Sequence, residues 1–330
     1  MRVPRLPERK KYSTMNSVRD FEGLMQLAVR TSEGRQPRRV AVCAAEDESS
    51  VVAMESARKL GLASPVLIGG AAKIESVMKQ AGIDPGPYRI VDAQGPEAAA
   101  EMSVELIKRG EADILMKGMI QTSMFLHPIF RHGTGLLSGY FVSHTGVLQV
   151  PGVDRLIVQT DGGLNILPDF EMMKGIIKNA VFVAHLVGLE RPKVALLSAT
   201  EKVHPKIPST VNARDLTAWA KAEVTDADVD GPLSFDLAIS PEAVLRKGAK
   251  GVVAGHADVL VAPNIEMGNA IYKALRYFAG AKGAGIVVGA SCPVMLTSRS
   301  DPPEEKLNSM ALAVLYADRI NEAGYRVVKK

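Results

Sequence analysis

The segment Leu296-Thr297-Ser298-Arg299-Ser300-Asp301-Pro302-Pro303-Glu304-Glu305 gathers a hydroxyl, a guanidinium and several carboxylates in one short stretch. An apolar run precedes it and a helical pattern follows, so it is expected where a strand ends and a helix opens. A helix N-terminus presents unpaired N–H groups and a partial positive charge, which suit an anion. Arg299 has the planar fork that grips a phosphate through two parallel hydrogen bonds. The same residues also suit capping alone, with Ser300 or Asp301 as N-cap and the glutamates facing the helix dipole. Local sequence leaves both roles open.

Two further clusters sit between an apolar run and a helical pattern. In Asp161-Gly162-Gly163-Leu164-Asn165-Ile166-Leu167-Pro168-Asp169 the glycines permit close backbone approach, and Asp169 suits the N-cap of the next helix. In Asn264-Ile265-Glu266-Met267-Gly268-Asn269, Asn264 suits a cap and Glu266 the helix dipole. Gly268 in that first turn costs up to about 1 kcal/mol of helix propensity, which implies that something approaches it closely. For both clusters, capping and ligand contact stand level. Lys117-Gly118 ends one expected strand and Ser143-His144 precedes another; a lone Lys or His at such a place is more often solvated or satisfied in a core than chemical.

Several chemistries lack their signature. Gly283 and Gly285 are followed by Gly289, one position late for a dinucleotide-binding fingerprint, and the segment reads as strand interior. There is neither a phosphate-binding P-loop nor a G-x-S-x-G nucleophile elbow. His127 and His132 lie at the wrong spacing to share a helix face, so no metal is expected there. The two cysteines, Cys43 and Cys292, lie in apolar runs read as strands and are expected to be buried thiols, not a disulfide framework or a zinc site.

Short apolar runs alternating with helical patterns signify an α/β fold with parallel-type sheets flanked by helices. Strands are expected at Val40–Cys43, Pro65–Ile68, Asp113–Met116, Thr145–Gln149, Val194–Leu197, Val259–Ala262 and Val294–Leu296. Helices are expected at 96–108, 122–130, 170–189 and 303–319, and one with Asn16 or Ser17 as its cap and Phe21, Leu24, Met25 and Ala28 as its apolar face. Ligands in such folds sit beyond the carboxyl ends of strands, where each polar cluster falls. The net charge of +4 comes partly from Arg2, Arg5, Arg9, Lys10 and Lys11. Residues 1–16 read as a disordered basic leader, with no apolar stretch behind the charges as a secretory signal would have. No run reaches the roughly 18 apolar residues of a membrane helix, and an aromatic content of 5% gives little for nucleic-acid bases to stack on.

Taken in order, the motifs resemble the phosphate acetyltransferase and phosphate butyryltransferase family. They run Asp113-Ile114-Leu115-Met116-Lys117-Gly118, Ser143-His144, Thr160-Asp161 to Asp169, Asp230-Gly231-Pro232-Leu233, Ala257 to Asn269 with Tyr272-Lys273, and Ser298-Arg299. The butyryl branch looks closer, and the resemblance covers nearly the whole chain after residue 16.

The resemblance implies two α/β domains with the active cleft between them: 17–148 with 293–330, and an inserted 149–292. It also implies a cytoplasmic homodimer or larger assembly, and reversible conversion of acyl-CoA and phosphate into acyl phosphate and coenzyme A, with no metal or prosthetic group. By position, Glu305 matches the family's acidic base, with Asp301 as alternate. Ser298 matches the donor that steadies the oxyanion, and Arg299 binds phosphate or the reacting carbonyl. Lys117, His127, Arg131, Ser143, His144, Asp161, Asn165, Asn264, Glu266 and Asn269 are the expected substrate contacts.

The sequence departs from the family pattern in two places where members often carry arginine, around Leu126-His127-Pro128 and in Gly135–Tyr140. Lys117, Arg131, His127 and His132 are the partial substitutes at hand, a lysine lacking the guanidinium fork and a neutral histidine supplying less still, so a non-catalytic acyl-CoA-binding or regulatory paralogue stands as the alternative.

Overall fold

The computed structural model describes residues 18–320; the basic leader and the helix caps expected at Asn16 or Ser17 lie outside them. The chain forms α1 (Phe21–Ser32), β1 (Arg38–Cys43), α2 (Glu48–Lys59), β2 (Ala63–Gly69), α3 (Ala71–Gln80), β3 (Arg89–Asp92), α4 (Pro96–Lys108), β4 (Ile114–Lys117) and α5 (Thr122–Phe130). It continues with β5 (Ser143–Gln149), β6 (Leu156–Thr160), α6 (Phe170–Leu186), β7 (Lys193–Leu197), α7 (Pro208–Glu223), β8 (Asp228–Leu233), α8 (Phe235–Ile239), α9 (Pro241–Lys247), β9 (Val259–Val261) and α10 (Ile265–Tyr277). It closes with β10 (Lys282–Val288), β11 (Val294–Met295) and α11 (Pro303–Arg319).

These elements fall into two compact units, one of residues 22–140 and 284–320, the other of residues 18–21 and 141–283. In the first, the strand order is β3-β2-β1-β4-β11-β10, parallel except for β10 against β11. In the second it is β5-β6-β9-β7-β8, parallel except for β5 against β6. The fold is thus mixed α/β. The two antiparallel pairs arise where the connection is too short for a crossover helix, as at Pro151-Gly152 between β5 and β6.

Topology places the chemistry. In the first unit β1, β4 and β11 run side by side in one direction, with Cys43 opposite Lys117 and Met116 opposite Met295. The loops after these residues therefore leave the sheet at one end. The crossing is tight: the Gly118 N–H donates to the Cys43 carbonyl at 2.8 Å, and a Cβ at Gly118 would run into the carbonyl oxygens of Cys43 and Ala44. In the second unit the antiparallel pairing sets Thr145 opposite Thr160. The start of β5 thus lies beside the end of β6, and Ser143 and His144, expected just before the strand, are its first two residues. Leu148, Ile157, Leu197, Leu233, Leu237 and Leu260 pack together as a core beneath, each side chain contributing about 1.5–3 kcal/mol by leaving water.

Cys43 and Cys292 are buried free thiols, though Cys292 sits in the bend before β11, not in a strand. Among the described residues no helix is long and apolar enough to cross a membrane. Nor, among them, is any group of three or more His, Cys, Asp or Glu side chains gathered as a metal would require.

Candidate active site

In the first unit the loop after β11 is held from both sides. Ser298 and Arg299 are exposed. The Ser298 N–H donates to the Asp301 carboxylate at 2.7 Å, and the Asp301 N–H donates back to the Ser298 carbonyl at 3.1 Å. Asp301 was expected as a possible N-cap, but the cap position of α11 is Pro302, with no side-chain cap bond. The Asp301 side chain turns backward instead and closes the loop through the Ser298 N–H. Its carboxylate is occupied and buried; Glu305, in the first turn of α11, is buried as well. Arg299 makes no ion pair among the described residues.

Beneath this loop lie two buried lysines. Lys117, at the end of β4, is 2% exposed and donates to the Gly118 carbonyl at 3.2 Å. Burial, then the charges of Lys306 and Arg299, lower its ammonium pKa to about 8 against the partial support of Asp301 and Asp47. Lys306 is 1% exposed and reaches Asp47 Oδ1 at 3.2 Å and Ser50 Oγ at 3.1 Å. Asp47 is also the N-cap of α2, accepting the Ser50 N–H at 2.9 Å. The Ser49 hydroxyl donates to the Asp301 carbonyl at 2.7 Å. Asp47, Ser49, Ser50 and Lys306 carried no signal in the sequence, since their partners lie more than 250 positions away.

His127 and Arg131 do not join this cluster. Both are exposed and face the acidic side of α4. His127 lines a hollow with Glu97 and Glu101, and Arg131 is paired with Glu101. The carboxylate paired with Arg131 competes with an incoming anion for its guanidinium.

In the second unit Asp161 organises the corresponding strand end. It is 2% exposed, and its carboxylate accepts the N–H of His144 at 3.0 Å, those of Gly163 and Leu164 at 2.9 Å, and the Asn165 amide at 2.7 Å. Asn165 also donates to the Val142 carbonyl at 3.1 Å, and Asn179 holds the Ser143 hydroxyl at 2.9 Å. Four donors on one carboxylate make Asp161 the frame of this loop.

Asn264 caps α10 through the Met267 N–H at 2.9 Å, as expected, and Asp169 caps α6 through Met172 at 2.8 Å. The close approach inferred at Gly268 comes from the chain itself: a Cβ there would strike the Asp161 carbonyl. Asn269 fixes the same crossing by donating to the Gly162 carbonyl at 3.0 Å. Glu266 is exposed on the first turn of α10.

A family model described as Phosphate acetyl/butaryl transferase matches residues 94–314. The chain belongs to this family. A phosphate butyryltransferase of Clostridium acetobutylicum is 41% identical over 286 residues, covering 86% of this chain and 95% of that enzyme. A phosphate acetyltransferase of Rhizobium meliloti is 41% identical over 274 residues, covering 83% of this chain and 87% of that enzyme. Among solved structures, a branched-chain phosphotransacylase from Enterococcus faecalis V583 superposes with a TM-score of 0.74 at 34% identity, covering 85% of this chain and 99% of that one. The acetyl and butyryl members match equally well in identity, so similarity alone does not choose the acyl group.

Proposed function

We propose that this chain transfers a short acyl group, acetyl to butyryl in size, reversibly between coenzyme A and inorganic phosphate. Family membership supports the reaction. The observation that carries the assignment of the site is the Ser298–Arg299 pair, exposed in a turn that Asp301 closes, above the buried ammonium groups of Lys117 and Lys306.

In the direction of acyl-CoA synthesis the thiol of coenzyme A attacks the carbonyl of an acyl phosphate, a C–S bond forms, the C–O bond to phosphate breaks, and phosphate leaves with its electron pair. A free thiol has a pKa near 8.5, so only about 3% is thiolate at neutral pH. Glu305 is the group proposed to take the thiol proton. The Ser298 hydroxyl donates to the oxyanion of the tetrahedral intermediate, an interaction worth roughly 3 kcal/mol of barrier. Arg299 holds the phosphoryl oxygens with its fork. Lys117 lies too deep to grip a ligand directly and contributes as a fixed positive charge under the loop. Coenzyme A and phosphate are substrates in this scheme. The frame built around Asp161, with Ser143, His144, Asn165, Asn264, Glu266 and Asn269, is proposed to shape substrate binding by holding backbone in place, with Glu266 and Asn269 the members exposed for contact.

The test is phosphate-dependent release of free coenzyme A from acetyl-, propionyl-, butyryl- and isobutyryl-CoA. Turnover that requires phosphate supports the reading, and the best substrate identifies the acyl group. Binding of acyl-CoA without turnover would instead make the chain a non-catalytic paralogue.

A further inference from the structure

The first turn of α2 touches the site at three points that the reaction scheme does not use. The Ser49 hydroxyl holds the Asp301 carbonyl at 2.7 Å, and Asp47 and Ser50 together hold the Lys306 ammonium at 3.2 and 3.1 Å. These are neighbouring positions on one helix start, and they grip the segment that carries Ser298, Arg299 and Glu305 at its middle, Asp301, and just past its end, at Lys306. We propose that Lys306 is a positioning residue for the acyl-transfer site: its buried ammonium, clamped by Asp47 and Ser50, fixes the opening turn of α11 and with it Glu305, the preceding residue.

The argument rests on cost and geometry. An ammonium 1% exposed has given up its water, and a buried ion pair often stabilises a fold no more than well-packed apolar side chains of similar volume would. What such a pair supplies here is direction, since two acceptors from one helix start allow the Lys306 stem little freedom. The opening turn of α11 has no side-chain cap of its own, so the clamp takes over the cap's role of fixing where the helix begins.

The same ammonium acts on its neighbour. The charged and titratable groups facing Lys117 are Lys306 from α11, Arg299 and Asp301 from the loop after β11, Asp47 from the start of α2, and Cys43 from β1. Lys306 is the strongest of the charges that disfavour the protonated form of Lys117. Removing it therefore raises the pH at which Lys117 loses its charge, and restoring the charge with Lys306→Arg brings that pH back down, a reversal that loosened packing would not give.

This inference rests on the proposed acyl transfer, and the experiment separates the two. Wild type, Lys306→Met, Lys306→Arg and the double variant Asp47→Asn with Lys306→Met are assayed as full chains for phosphate-dependent coenzyme A release across pH. Each is checked for folding by thermal melting. In Lys306→Met, kcat is expected to fall about ten-fold or more while KM for acyl-CoA stays within about two-fold. The alkaline limb of the phosphate KM is expected to move to higher pH, and Lys306→Arg should recover most of kcat. Should the single variant not fold, the double variant takes its place, because it leaves no unpaired charge, and the same losses are expected. An active wild type with unchanged kcat and pH profile in the folded variants would overturn the positioning role alone. An inactive wild type would overturn the acyl-transfer reading, and the positioning role with it.

Discussion

The carboxylate of Asp301 and the backbone N–H of Ser298 meet at 2.7 Å, closing a turn that leaves the Ser298 hydroxyl and the Arg299 side chain exposed. A hydrogen bond to a charged group contributes about 1.5–3 kcal/mol, enough to hold one loop conformation. Asp301→Ala is expected to lower kcat about ten-fold or more, with a smaller fall for Asp301→Asn, which keeps an acceptor. Steady-state kinetics of the two variants, with thermal melts alongside, check this. Equal activity of Asp301→Ala and wild type would remove the turn from the account.

Asp161 is expected to matter first for stability. Alanine there leaves four donors without their acceptor, and each buried donor left unpaired costs about 1–3 kcal/mol. Urea unfolding should show a loss above about 3 kcal/mol; a loss no larger than that of an ordinary surface substitution would contradict the frame.

Gly268 gives a prediction of sign. Glycine to alanine inside an exposed helix ordinarily stabilises by about 1 kcal/mol. Here the new Cβ meets the Asp161 carbonyl, so Gly268→Ala should destabilise by about 1–3 kcal/mol, as overpacking does. Equilibrium denaturation decides between the two signs.

The pH dependence follows from Lys117. Its pKa is lowered to about 8, first by burial. Its charge is therefore lost as pH rises through 8, and KM for phosphate should climb there. Lys117→Met should raise KM at neutral pH and flatten that dependence. On stability the sign is opposite to that of a gained ion pair. Between about 8 and the ordinary lysine value of 10.5 the unfolded chain binds the extra proton, so this group's contribution rises with pH. The thiols of Cys43 and Cys292, pushed up to about 12 by burial, act the other way once pH exceeds their ordinary value of 9.0. A pH series of melts and of phosphate KM measures both effects.

Much of this architecture was legible in sequence. The spans of α4, α5 and α11 matched their expected limits, because Pro96 and Pro303 mark the first positions of two of them and the first also ends just before Gly110. The capping roles of Asn264 and Asp169 were legible for the same reason: the cap and its partner N–H lie three residues apart. α7 was not read, because its buried face is Thr210, Ala213, Leu216 and Ala220, mostly small residues with weak apolar contrast. β8 was hidden by Gly231-Pro232 inside it, which reads as a breaker. The clamp of α2 on α11 was out of reach, since nothing local in Asp47, Ser49 or Ser50 points to Asp301 or Lys306.

The most direct test of the account is the rate of phosphate-dependent coenzyme A release by Ser298→Ala and Arg299→Ala beside wild type, following the freed thiol. Since both cysteines of the chain are buried, the thiol signal comes from coenzyme A. The account predicts turnover by the wild type that requires phosphate, and a fall of about 100-fold or more in each variant with its fold intact. Wild-type rates in both variants would contradict the assignment of this loop as the place where the acyl group changes hands.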